Sequence, residues 1–105
     1  GGAGAPPDES ARVRAAEALG GARDSASRDA LRNALSGSLR VATAAAASLW
    51  RRADRAGLSF LVGRSSSSDA ETRQLAIEAL DRLGVSEAAR AAVRHADRVT
   101  SGKAP

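Results

Sequence analysis

A chain of 105 residues with net charge +4, one His and no Cys is a single small domain. It has no disulfides, no thiolate chemistry and too few N/S ligands for a structural zinc site. Alanine dominates and aromatic residues make up 2%, so composition favours helices over strands, which draw on β-branched and aromatic side chains.

The N-terminal GGAGAPP has neither a starting Met nor a charged-then-apolar signal pattern. It reads as a disordered tail over residues 1–7 of a piece cut from something longer. Six helical segments are expected to follow. The first opens at Asp8 or Ser10 and runs to Leu19, where Gly20-Gly21 stops it. The second spans Ser25 to Leu35, ending at Ser36-Gly37. The third, Ser38 to about Ala53, carries the small-residue run Ala42 to Leu49, and Asp54 opens a fourth segment that ends at Gly63. Ser65 to Ser68 forms a loop. Ser68-x-x-Glu71 has the form of a capping box for the fifth segment, which Gly84 closes. Ser86 to about Val99 is the sixth, and residues 100–105 are a second disordered tail. The domain thus occupies residues 8–99. No apolar run reaches 18 residues, so no membrane span is expected, and the missing signal and Cys point to the cytoplasm.

The segments pair. Ala16 to Leu19, Ala46 to Leu49 and Ile77 to Leu80 align with Leu at 19, 49 and 80, spacings of 30 and 31 residues. After each comes a turn and a second helix with apolar anchors at Leu31/Leu35, Leu58/Val62 and Ala89/Val93. A period in this range marks a stack of about three antiparallel helical hairpins, because one hairpin cannot bury its own apolar stripe. The bland alternative is a five- or six-helix bundle with Ala-Leu pairs recurring by chance. Ten Leu, six Val and one Ile make a thin core. Alanine faces at Ala42/Ala45/Ala46 and Ala89/Ala92/Ala96 let helices approach closely but bury little area each.

Val13-Arg14, the Ala15 to Gly20 run and Ala30-Leu31-x-x-Ala34-Leu35 resemble the short HEAT repeat also found in phycobilisome lyase-type proteins. TRQLAIEALDRLG, from Thr72 to Gly84, is similar. The second copy departs from the pattern around Arg51 to Arg55 and at Phe60. The resemblance implies adaptors and scaffolds, with the second helix of each hairpin lining a concave surface.

With Leu31, Leu58 and Val93 as equivalent anchors, Arg28, Arg55 and Arg90 each stand three residues before the anchor, and Arg32 and Arg94 one residue after two of them. Such positions border the apolar stripe on one side. They form a candidate basic groove for phosphate or an acidic segment. The competing reading pairs these guanidinium groups with Asp24, Asp29, Asp54, Glu87 or Asp97, while their stems cover apolar surface. Trp50 is a candidate anchor for a partner or simply packs on the next hairpin. Phe60, about 200° around its helix from Leu58, is either an exposed contact residue or the sign of a different register. His95 reads as a surface residue and Ser65 to Ser68 as a plain loop.

No nucleophile elbow, Gly-rich phosphate loop or paired carboxylates in an apolar setting are present, so neither an enzyme nor a bound cofactor is expected. The favoured function is a protein-interaction scaffold or adaptor that binds a partner along the arginine groove. The alternatives are a nucleic-acid-binding repeat, for which Arg51-Arg52-Arg55 is the one dense cluster, and a self-associating helical domain or one that packs on further repeats.

Overall fold

A computed structural model describes residues 8–101; the expected tail at 1–7 and residues 102–105 of the expected tail at 100–105 lie outside them, while Thr100 and Ser101 belong to the last helix. The described residues form six α-helices and no strands. They are α1 (Glu9–Ala18), α2 (Ser25–Ala34), α3 (Leu39–Arg51), α4 (Arg55–Arg64), α5 (Ala70–Arg82) and α6 (Glu87–Ser101), with a 3-10 turn at Leu19–Gly21. α6 continues two residues past its expected end at Val99.

Side-chain caps set the helix starts. Asp8, Asp24, Ser38 and Asp69 each accept the amide three residues on, at 2.7, 2.9, 3.4 and 2.9 Å, and Asp54 accepts the Ala56 amide at 3.0 Å. These bonds satisfy amides that have no partner inside the helix. At α5 the cap is Asp69, bonded to both the amide and the hydroxyl of Thr72, and not the expected Ser68 box. An aspartate accepts more strongly at the positive end of a helix than a serine does.

Two helix ends have the same geometry. After α5, the Gly84 amide donates to the Asp81 carbonyl and the Val85 amide to Leu80, with Gly84 at φ +73°. After α3, the Ala53 amide donates to Trp50 and the Asp54 amide to Leu49, with Ala53 at φ +63°. This pattern usually takes glycine at the left-handed position. Alanine there stores about 1–2 kcal/mol of backbone strain. The turn is short because Asp54 ends one helix and caps the next.

α1 and α3 run parallel. Glu9 lies 3.8 Å from Arg40 near their starts, and the buried Ser48 hydroxyl donates to the Ala16 carbonyl (2.8 Å) near their ends. α3 packs against α1, α2, α4 and α5, and α4 against α3, α5 and α6, so the α3–α4 hairpin is the middle of the stack. The alanine face of α3 is the reason: Ala42, Ala45 and Ala46 are all buried, as expected.

Two apolar clusters flank this hairpin. One joins Ala16, Leu31, Ala45 and Leu49, and the other Leu58, Leu61, Val62, Leu80, Val85 and Val93 with Ala46 and Ala79. The three expected second-helix anchors Leu31, Leu58 and Val93 are therefore all buried. Ala89, Ala92 and Ala96 are not: they face solvent, and α6 presents Val93 and the stem of Arg90 to the core instead.

Trp50 and Phe60 both lean on the second cluster, half-buried. Phe60 lies off the stripe drawn through Leu58 because α4, with three neighbours, is apolar on more than one face. The outer side of the Phe60 ring is covered by the Arg64 guanidinium, 4.5 Å from its centroid.

Candidate arginine pocket

The turn between α3 and α4 is the floor of an open pocket of about 320 Å³, lined by Arg28 and Arg32 from α2 and by Arg52 to Arg55 from the turn and the start of α4. Local folding explains the convergence. The tight α3–α4 turn delivers Arg52, Asp54 and Arg55 within four residues. Leu31, fully buried against α3, places the residues on either side of it, Arg28 and Arg32, over that turn.

Asp54 is the hub. Arg32 donates to it in a forked pair, Nε and Nη2 reaching the two carboxylate oxygens at 2.9–3.1 Å. The Asp54 side chain is 10% exposed and that of Arg32 51%. Burial pushes the Asp54 carboxyl pKa up, but the Ala56 amide and the arginines Arg32 and Arg28 pull harder, and the net result lies below the ordinary aspartate value. Asp54 thus stays ionised and ties α2, α3 and α4 together.

Arg52 and Arg55 are each held on one side, and Arg28 is not. Arg52 Nη2 donates to the Asp24 carbonyl at 2.9 Å, and its Nη1 is buried without a hydrogen-bond partner. Arg55 donates to Asp97 of α6 at 3.2 Å, and Ser59 donates to the same oxygen. Arg28 lies 3.9 Å from Asp29, too far for a hydrogen bond. Several of the anticipated acids therefore do meet the arginines, but Asp54 alone lines the pocket. Four arginines against Asp54, with Asp97 pairing Arg55 from outside the lining, leave it at +2.

Of the arginines expected in one groove, Arg28, Arg32 and Arg55 come together. Arg90 does not. It is 7% exposed, its Nε donates to the Val85 carbonyl (2.9 Å) and its Nη2 to Asp81 (2.7 Å). The guanidinium fastens α6 to the end of α5, and the expectation that it faces a partner is corrected. Arg94 is half-buried on α6 and does not line the pocket, nor do Trp50 and Phe60, which pack on the core. Arg52 joins the pocket without having been expected there. The dense Arg51-Arg52-Arg55 cluster signalled it, but only the turn geometry separates Arg52 from Arg51, which lines a different cleft.

That cleft, about 420 Å³ between α1, α3 and α5, is larger, but four arginines and three glutamates share its walls. It has no strong sign of charge with which to select a ligand.

Three aspartates have lowered pKa values. The Ser27 hydroxyl and amide lower Asp24, and the Thr72 hydroxyl and amide lower Asp69; Asp54 is the third. Folding thus favours their ionised forms. This stability is present above the unfolded-state pKa and is lost as the pH falls through the folded one. Thermal midpoints should therefore be level from about pH 7 to about pH 5 and fall below about pH 4. Asp24→Asn and Asp69→Asn together should flatten that fall. An unchanged acid limb in the double variant would show that the caps do not carry it.

The architecture so described, helical hairpins stacked on one another with α1 and α3 parallel, is that of an α-helical repeat protein. The chain belongs to the HEAT repeats: the family model matches residues 4–81. The match runs from before α1 through most of α5 and carries the general repeat, not the phycobilisome-lyase subtype. Comparisons with curated proteins and with solved structures find no match. HEAT repeats are commonly protein-interaction scaffolds. Among the described residues no helix is long and apolar enough to cross a membrane.

Proposed function

We propose that this chain is a non-catalytic interaction module, a scaffold or adaptor that takes up an acidic segment of a protein partner at the arginine pocket. The observation that carries this reading is the convergence of Arg28, Arg32, Arg52 and Arg55 around the α3–α4 turn, where Asp54 is the one acid lining the pocket. Guanidinium groups present planar forks that match carboxylates, and side chains already tethered lose less freedom on binding. A nucleic-acid reading is less well supported. It needs a track of cations along a backbone, and the burial of Arg90 and the separate placement of Arg94 break the expected stripe.

The test is fluorescence anisotropy of a labelled Asp/Glu-rich peptide at two salt concentrations. The peptide should bind, and binding should weaken several-fold between about 50 and about 200 mM salt. Arg28→Glu and Arg55→Glu should each reduce affinity by roughly tenfold or more, since each turns attraction into repulsion. Equal binding of a neutral peptide, or indifference to both substitutions, would remove the pocket from the function.

A further inference from the structure

We infer that the arginine pocket selects a phosphomonoester, a phosphorylated serine or threonine side chain of the partner, over a carboxylate. This rests on the reading of the pocket as the partner site.

The charge balance is the first argument. The lining carries four arginines and one aspartate, and Asp97 already pairs with Arg55 from outside it, which leaves two positive charges. One carboxylate brings a single negative charge and two acceptor oxygens, and Asp54 already supplies one such group. A phosphomonoester brings a charge of about −1.5 to −2 and three acceptor oxygens on one centre. It comes closer to matching what Asp54 and Asp97 leave over.

The unmet donors are the second argument. Arg52 lines the pocket with its Nη2 held by the Asp24 carbonyl. Arg28 makes only a 3.9 Å contact to Asp29, and the Arg32 fork uses Nε and Nη2, leaving Nη1 outside the pair. Three guanidinium groups from two segments thus offer donors to one space. Such an arrangement suits a tetrahedral acceptor better than a planar one.

Preorganisation is the third. The Asp24 carbonyl holds Arg52, Asp54 holds Arg32 and Asp97 holds Arg55. Each side chain is fixed by one edge, so little rotamer freedom remains to be lost on binding. A phosphate group is also small against about 320 Å³, which leaves space for the side chain that bears it.

A phosphodiester fits less well. It carries one charge on two free oxygens, and a nucleic acid gains affinity by repeating that contact along a strand. The pocket is a single convergence with Arg90 buried and Arg94 placed apart.

The experiment titrates the full chain with four probes, following both peptide anisotropy and the arginine side-chain N–H signals in nuclear magnetic resonance spectra. The probes are one Gly/Ser-flanked peptide carrying phosphoserine, the same peptide with glutamate there, the same peptide with serine, and a short oligothymidine. The phosphoserine peptide should bind roughly tenfold tighter than the glutamate peptide, and the serine peptide should not bind. Arg52→Gln should collapse that preference towards unity. Because Arg52 is half-buried and anchors a turn, Arg28→Gln, on an exposed helix surface, repeats the test, and circular dichroism confirms that both variants are folded. Equal affinity for phosphoserine and glutamate overturns the phosphate preference and leaves the acidic-segment reading standing. No binding of either acidic peptide overturns both readings. Tighter binding of oligothymidine than of the phosphopeptide assigns the pocket to phosphodiesters and overturns the proposal.

Discussion

Gly57→Ala should unfold this protein, although by helix propensity alone it should stabilise it. Alanine is better than glycine in a helix interior by about 1 kcal/mol, and Gly57 sits in the first turn of α4. But α4 crosses α3 at this residue. A Cβ built there would overlap the Ala46 carbonyl oxygen and would stand 2.8 Å from both the Leu49 Cβ and the Trp50 amide nitrogen. Two of those three atoms are backbone of the central helix and cannot rotate away. Overpacking a core ordinarily costs about 1–3 kcal/mol when side chains can give. Here the α3–α4 hairpin itself must open, and both apolar clusters pack on it. The core is thin, so the expected result is loss of the cooperative thermal transition by circular dichroism.

Gly63 is the control. It lies in the same helix, exposed, and a Cβ there meets nothing within 4 Å. Gly63→Ala should stabilise the protein by about 0.5–1 kcal/mol. If both variants melt alike, α3 and α4 do not cross at Gly57.

How far the sequence could be read follows from these contacts. Most helix starts and stops were legible because caps and breakers act locally: Asp8, Asp54 and Gly84 need only their neighbours, whereas Asp24 was not read as a cap and Asp69 caps α5 in place of Ser68. The buried anchors Leu31, Leu58 and Val93 were legible because the hairpins repeat at a nearly constant spacing. The stripe of arginines was half legible. Position on a helix says which residues border the apolar face, but what a long side chain meets there depends on how hairpins are offset. Arg28, Arg32 and Arg55 converge because the α3–α4 turn is short, and that turn closes through a left-handed alanine at 53, where nothing in the sequence announces one. Ala89, Ala92 and Ala96 marked an apolar face of α6 by composition. Alanine is too small for composition to choose between faces, and Val93 and the Arg90 stem decided the matter. Phe60 was misplaced for a related reason: a helix with neighbours on three sides has no single stripe.

The arginines that hold the fold differ from those offered to a partner, and Arg90→Ala should show the separation. The Arg90 side chain is 9% exposed while that of its partner Asp81 is 65% exposed, so the ion pair itself lies at the surface and contributes at most about 1 kcal/mol. The stem and the Val85 carbonyl matter more. Truncation removes packing next to Val85 and Val93 and leaves that carbonyl, at the end of α5, without its side-chain donor. An unmet buried acceptor costs about 1–3 kcal/mol and the lost methylenes about 0.8 kcal/mol each. A total destabilisation of about 2–4 kcal/mol is expected, read as a lower urea midpoint with little change in slope. Arg90→Met should recover part of it, because it restores the stem without the donor. Under conditions where it remains folded, Arg90→Ala should bind an acidic peptide as the parent chain does. Arg28→Ala should do the reverse, leaving the midpoint within about 0.5 kcal/mol of the parent because its side chain is 47% exposed, and weakening the peptide. If Arg90→Ala weakens the peptide as much as Arg28→Ala at equal fraction folded, α6 belongs to the binding surface and the pocket extends beyond the α3–α4 turn.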